Sequence, residues 1–214
     1  MLKEIADIRT EYQLAALDEV VVGDDPIAFF TQWFIEAQKA EISEVNAMTI
    51  ATCGQDCIPK TRIVLLKGME EDEFIFYTNY NSAKGKDIAQ NPHVSLLFFW
   101  KELERQVRVQ GIATRIPQEK SDEYFHSRPI PSQVGAWASP QSAIIPDRNI
   151  LDDNFARLEA EYDGKRIPRP EHWGGYAVKP AAIEFWQGRA SRLHDRILFT
   201  RSGEDKWSKV RLAP

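Results

Sequence analysis

The sequence predicts a mainly antiparallel β fold with flanking helices, and three observations carry that reading. Between Ala47 and Ala113 five short runs have the β-branched, aromatic and apolar content of strands. Helical spacing falls mostly before and after that stretch, so strands follow strands as in a barrel instead of alternating with helices as in a doubly wound sheet. Neither Gly-x-Gly-x-x-Gly nor a P-loop occurs, which removes the Rossmann and Walker nucleotide signatures. The chain has 214 residues, enough for a sizeable core. We expect residues 21–214 to form a single domain, and residues 1–20 a helical N-terminal segment able to close over a site.

Taken in order, residues 1–18 carry a helical face of Ile5, Ile8, Tyr12 and Ala15, with Arg9 and Tyr12 three apart on its flank. Asp25 reads as an N-cap and Pro26 as the first helical residue; Ile27, Phe30, Trp33, Phe34 and Ala37 then form an apolar stripe out to about Ile42. The strands are expected over 47–52 and 61–68, paired through a turn at Gly54, then 74–79, 94–100 and 104–113. Residues 94–100 are apolar enough to be buried on both faces, whereas Val107 and Val109 alternate with Gln106, Arg108 and Gln110. Ser82 caps a short helix ended by Asn91-Pro92, and its N-terminus with Lys84 and Lys86 is a reasonable phosphate seat. Pro117 opens a helix over 118–127. Residues 127–142 read as a long Pro-rich loop with hydroxyls and amides, the kind of ordered loop that often carries function. A helix at 150–162 and strands at 176–179, 182–187, 192–201 and 207–212 complete the chain.

Composition narrows the chemistry. The net charge of −5 argues against general nucleic-acid binding, so any phosphate-binding groups must be local clusters. No apolar run approaches the roughly 20 residues that span a bilayer, and the first residues lack an apolar signal core, so a cytosolic protein is expected. Two cysteines, Cys53 and Cys57, are too few for a disulfide framework or a zinc site. Neither a metal-spaced Asp/Glu/His cluster nor a Gly-x-Ser-x-Gly elbow is present. The most unusual stretch is Arg192-Leu193-His194-Asp195-Arg196. As a strand it would set Arg192, His194 and Arg196 on one face, within about 14 Å of backbone, and Leu193 and Ile197 on the other. Such a face calls for something anionic or electron-rich. The polar sides of the other elements add Arg62, Lys67, Lys84, Gln106, Arg128, Gln141 and Ser142; Arg62 and Lys67 have opposite strand parity. With catalytic carboxylates and thiols unconvincing, an organic cofactor bearing a phosphate is the natural source of chemistry.

These residues lie in stretches that resemble the pyridoxamine/pyridoxine 5′-phosphate oxidases along nearly the whole chain. The matching runs are Arg62-Ile63-Val64-Leu65-Leu66-Lys67, Phe76-Tyr77-Thr78-Asn79, Leu103-Glu104-Arg105-Gln106-Val107, Tyr124-Phe125-His126-Ser127-Arg128-Pro129, Ser132-Gln133-Val134-Gly135-Ala136-Trp137, Gln141-Ser142, Trp173-Gly174-Gly175, Glu184-Phe185-Trp186-Gln187-Gly188, Arg192-Leu193-His194-Asp195-Arg196 and the ending Arg211-Leu212-Ala213-Pro214. The resemblance implies an FMN-binding split β-barrel and a homodimer with FMN at the subunit interface. It implies oxidation of pyridoxamine 5′-phosphate or pyridoxine 5′-phosphate by O2 to pyridoxal 5′-phosphate and hydrogen peroxide. By the same resemblance Arg62, Lys84, Gln141 and Ser142 hold the FMN phosphate, the last two from the other subunit. Ile63, Val64, Leu65, Leu66, Lys67, Tyr77, Thr78, Gln106, Trp186 and Arg196 line the rest of the flavin. Lys67, Tyr124, Arg128 and Ser132 clamp the substrate phosphate, Arg192 and His194 face the reacting C4′ substituent, and Arg9 and Tyr12 belong to a closing segment. The alternatives are a split-barrel flavin reductase using a nicotinamide, and a non-catalytic flavin or pyridoxal-phosphate carrier. One departure stands out: Ala83 occupies a position where the family usually has arginine. Losing one charge-assisted hydrogen bond, about 1.5–3 kcal/mol, predicts weaker FMN retention unless Lys86 compensates. Ala83→Arg should then tighten FMN binding in a fluorescence titration.

Overall fold

A computed structural model describes residues 5, 7, 10–203 and 206–214. Six helices occur among the described residues: α1 (Glu19–Val22), α2 (Pro26–Lys39), α3 (Ala83–Gln90), α4 (Gln118–Ser127), α5 (Ile130–Ala138) and α6 (Asn149–Glu161). The strands are β1 (Ala47–Cys53), β2 (Pro59–Leu65), β3 (Gly68–Glu70), β4 (Glu73–Asn79), β5 (His93–Trp100), β6 (Arg105–Arg115), β7 (Trp173–Gln187), β8 (Asp195–Arg201) and β9 (Trp207–Leu212). They hydrogen-bond in the order β2-β1-β5-β6-β7-β4-β3, with β8 beside β7 and β9 beside β8. The β3–β4, β4–β7, β7–β8 and β8–β9 pairs are all antiparallel. None of the described helices is long and apolar enough to cross a membrane.

The chain divides into two compact units. The first comprises Met1–Thr49, Ser95–Gly111 and Pro180–Pro214. Its centre is aromatic: Phe29 and Trp33 of α2 stand edge-on to Phe185 of β7, with ring centroids 4.9 and 5.4 Å away, and Phe30 meets Phe98 at 5.1 Å. Helix α2 starts where the sequence places it, because Asp25 Oδ1 accepts the N–H groups of Ile27 and Ala28 and Pro26 sacrifices no hydrogen bond in the first turn. The predicted helix over 1–18 does not form across 10–18, where the described backbone is irregular. There the N–H groups that a helix would use internally are taken elsewhere: Gln13 and Leu14 donate to Glu104 Oε2, and Leu17 donates to Asp195 Oδ2.

The second unit comprises Ile50–Val94 and Ile112–Lys179. Helices α4, α5 and α6 close over a cluster of Phe125, Val134, Ala138, Leu158, Ile167 and Trp173. The predicted loop over 127–142 is in large part helix α5, because Pro129 and Pro131 fall at its cap and first turn, where proline is tolerated. Two further differences concern single strands. Strand β5 buries Val94, Leu96, Phe98 and Trp100 but leaves Phe99 about half exposed, so it alternates and is not covered on both faces within one chain. The two strands expected at 176–179 and 182–187 are one strand, β7, running through Pro180. Its pairing with β4 ends at Val178 and its pairing with β8 begins at Ala182, so the missing proline N–H falls where the strand changes neighbours.

Candidate active site

In the second unit, the ends of β2 and β4, helices α3 and α5, and the turn after α4 enclose an open cavity of about 610 Å³. Its lining includes Ile63, Val64, Leu65, Lys67, Tyr77, Thr78, Lys84, Tyr124, Arg128, Ser132 and Gln141, all named from sequence. It also includes Asn79, Pro129, Gly135, Ala136, Ser139 and Trp173, to which the sequence reading assigns no site role. Three cations, Lys67, Lys84 and Arg128, line it, and no lining residue is a carboxylate. One wall is flat: Tyr77 stacks on Tyr124 with centroids 3.8 Å apart and on Trp173 at 5.5 Å. Burial, with Tyr124 beside it, pushes the Tyr77 hydroxyl up to about 12, so it stays a neutral donor. The Arg128 guanidinium lies 4.5 Å from the centre of the Trp173 ring, and its Nη1 is buried without a hydrogen-bond partner. An unpaired buried donor costs about 1–3 kcal/mol, a cost that an anionic ligand removes.

Lys84 is 8% exposed. Its Nζ donates to Thr78 Oγ1 at 3.0 Å and to Gln141 Oε1 at 3.2 Å, neutral acceptors only. Burial, and then the nearby charge of Arg62, pull it down to about 8. Gln141 reaches Lys84 within one chain. Ser142 faces an adjoining cavity of about 560 Å³ together with Ala83 and Lys86. Leu66 turns into the core at 7% exposed and is not part of the first lining. Lys67 lies beyond the alternation of β2, which ends at Leu65: its N–H bonds Ile75 O at 2.8 Å and it lines the cavity, whereas Arg62, on β2, is not among the lining residues. Helix α3 is seated by close approach at Gly85, where an added Cβ would overlap the Tyr80 carbonyl. Gly85→Ala should therefore cost about 1–3 kcal/mol by overpacking and disturb Lys84, read as a lowered denaturation midpoint with weakened flavin binding.

In the first unit, Trp186 and Arg196 are directly opposite on β7 and β8, which puts Glu184 diagonal to Arg196 on the same face. Glu184, 3% exposed, takes Arg196 Nε at 2.9 Å and Nη2 at 3.2 Å and also pairs with Arg108. Gln106 stands half-buried on β6. The Trp186 and His194 rings are 4.6 Å apart, and Tyr12 joins both at about 6 Å. Gly188 makes room for that: a Cβ there would come 2.7 Å from the Tyr12 ring. The Arg189 N–H donates to His194 Nδ1 at 3.1 Å, so the neutral imidazole carries its proton on Nε2. The expected continuous strand from Arg192 to Arg196 is broken. Residues 190–192 form a 3-10 turn, Ser191 and Arg192 have φ of 56° and 60°, and β8 begins only at Asp195. Leu193 is accordingly exposed, while Ile197 is buried as expected. Arg192 makes no hydrogen bond or ion pair among the described residues. Arg9 lies outside the described residues. No group of three potential metal ligands occurs among them.

Residues 34–162 match the sequence pattern of the family described as pyridoxamine 5′-phosphate oxidase. The chain belongs to the pyridoxamine 5′-phosphate oxidase family. Residues 173–214 match that family's pyridoxine 5′-phosphate oxidase C-terminal dimerisation region, which supports homodimer formation. Relatives named pyridoxine/pyridoxamine 5′-phosphate oxidase include one from Leptospira interrogans serovar copenhageni, 54% identical over 99% of both chains. Another, from Salinibacter ruber, is 54% identical over 100% of both. The crystal structure of PhzG from Burkholderia lata 383, in complex with tetrahydrophenazine-1-carboxylic acid, is 27% identical with a TM-score of 0.88, covering 96% of this chain and 100% of that one. A pyridoxamine 5′-phosphate oxidase-related, FMN-binding protein from Nostoc punctiforme shares the fold at 16% identity, with a TM-score of 0.70 and coverage of 89% and 98%. The fold is the split β-barrel of the pyridoxamine 5′-phosphate oxidase family.

Proposed function

We propose that this chain oxidises pyridoxine 5′-phosphate and pyridoxamine 5′-phosphate to pyridoxal 5′-phosphate with FMN and O2, as a homodimer with FMN at the subunit interface. The observation that carries the reading is the cavity with three cations, no carboxylate and a stacked aromatic wall, in which Arg128 Nη1 lacks a partner. That donor set fits a phosphate on a planar ring. FMN, when bound, supplies acceptance of a hydride from the substrate C4′ carbon and return of both electrons to O2 as hydrogen peroxide. The chain's own residues bind and orient. Arg62, Lys84, Gln141 and Ser142 hold the flavin phosphate, and Ile63, Val64, Leu65, Lys67, Tyr77, Thr78, Gln106, Trp186 and Arg196 hold the rest of the flavin. Lys67, Tyr124, Arg128 and Ser132 hold the substrate phosphate, which converts binding into orientation at C4′.

Arg192 and His194 are the catalytic residues of this reading. His194 Nε2–H orients the ring, and Arg192, on a left-handed backbone uncommon for residues other than glycine, hydrogen-bonds the C4′ oxygen or nitrogen. Residues 1–20, with Arg9 and Tyr12, close over the substrate; the docking of Tyr12 against Gly188 and Trp186 supports this. Two free cysteines suit a reducing compartment, the cytoplasm. Arg192→Ala should lower turnover by about a hundredfold, the scale of one transition-state donor, with FMN content unchanged; loss of flavin as the main effect would make Arg192 a cofactor residue. The reading itself is tested by supplying pyridoxine 5′-phosphate in air and following O2, peroxide and aldehyde together. All three should change in step. FMN binding without peroxide would favour a carrier, and reduction by NADPH a flavin reductase.

A further inference from the structure

We propose that Thr52 and Asp87 are positioning residues that lock the Arg62 guanidinium for the 5′-phosphate of the flavin. The proposal rests on the reading of the phosphate seat given above. Thr52 is 2% exposed and Asp87 is 5% exposed. Asp87 Oδ2 accepts from the Thr52 hydroxyl at 2.8 Å, and its Oδ1 accepts from Lys60 Nζ at 3.0 Å. Thr52 Oγ1 in turn accepts from Arg62 Nη1 at 2.6 Å.

A hydroxyl carries one proton and two lone pairs. Because the ionised carboxylate can only accept, the Thr52 proton must point at Asp87, and its lone pairs are then held toward Arg62. The second Nη1 hydrogen goes to the Lys60 carbonyl at 3.1 Å. That uses both hydrogens of one nitrogen and fixes the plane of the guanidinium. The Nε and Nη2 donors of Arg62 have no partner among the described residues, and they are the donors left for an anion. The charges agree. Arg62 is near enough to Lys84 to press that ammonium toward neutrality, second only to burial; burial also lowers the Arg62 guanidinium below its ordinary value, and Asp87 opposes that by favouring the charged form. Two cations close enough to repel, one braced by a buried carboxylate through a hydroxyl, form a seat that an added phosphate completes. Thr52 touches no ligand in this account; it acts through Arg62.

The test compares FMN with riboflavin, which lacks the phosphate, by flavin-fluorescence quenching on the full chain freed of flavin. Thr52→Val keeps the side-chain shape and removes the hydroxyl. It should weaken FMN about tenfold to a hundredfold, leave riboflavin unchanged, and be rescued by Thr52→Ser. Equal weakening of both flavins, or no weakening of FMN, would overturn the relay, because a merely structural role cannot single out the phosphate. Should Thr52→Val not be recovered folded, Thr52→Cys, which lacks the methyl branch and is a poor acceptor, carries the same two expectations. A native chain that holds riboflavin as tightly as FMN would defeat the phosphate seat itself. A native preference for FMN that survives Thr52→Val would defeat only the relay.

Discussion

Replacing Arg128 with methionine should lower kcat/KM for pyridoxine 5′-phosphate by about two decades while leaving the melting temperature nearly unchanged. The loss follows from charge-assisted hydrogen bonds of about 1.5–3 kcal/mol each, with tenfold in affinity for every 1.4 kcal/mol. The stability result follows from two opposed terms. In the free chain Arg128 Nη1 is buried without a partner, which costs about 1–3 kcal/mol. The guanidinium also rests on Trp173, which returns about 0.5–2 kcal/mol. Methionine removes both and keeps contact with the ring, so the net change is small. Steady-state kinetics and thermal unfolding of the same preparation check the pair of expectations. A drop in melting temperature with kcat/KM intact would make Arg128 a structural residue.

The second large effect concerns pH. Lys84 sits at about 8, below its ordinary value, because burial penalises the ammonium and Arg62 adds repulsion. Between that value and the unfolded one the unfolded chain binds more protons, so this group's contribution to stability of the flavin-free protein rises with pH across the window. Bound phosphate reverses the balance by favouring the ammonium. FMN binding should therefore take up a proton above about pH 8, and FMN affinity should fall there by up to about tenfold per pH unit. Lys84→Met should bind FMN roughly a hundredfold more weakly and remove this step. Calorimetric titrations in buffers of different protonation enthalpy measure the proton directly. An affinity independent of pH above 8 in the native chain would show that Lys84 is not the phosphate's cation.

Much of this was legible in the sequence because local chemistry and tertiary structure agree. Asp25-Pro26, Ser82 and Pro117 each start a helix where a cap or a fixed φ demands it. Val107 and Val109 bury as their alternation requires. What was missed has long-range causes. Glu104, ninety residues away in sequence, captures the N–H groups that residues 10–18 would have needed for a helix. Helix α5 hides behind prolines that look like loop signals but occupy its first turn. At the site, Trp173 shows no polar signal, yet it supports Arg128. The turn at Ser191 and Arg192 was hidden because residues with positive φ there are not glycines. Arg196, by contrast, reads in sequence as part of a face calling for an anionic or electron-rich group, and Glu184 holds it across the strand pair, a partnership that follows only from register.

The central claim, a phosphate-clamped vitamer oxidised by a bound flavin, is tested most directly by anaerobic titration of the flavin-loaded protein with pyridoxine 5′-phosphate while its visible absorbance is followed. The account predicts bleaching of the oxidised flavin with pyridoxal 5′-phosphate formed in proportion, and recovery of the colour on admitting O2. A bound flavin that stays oxidised at saturating pyridoxine 5′-phosphate and pyridoxamine 5′-phosphate would contradict it.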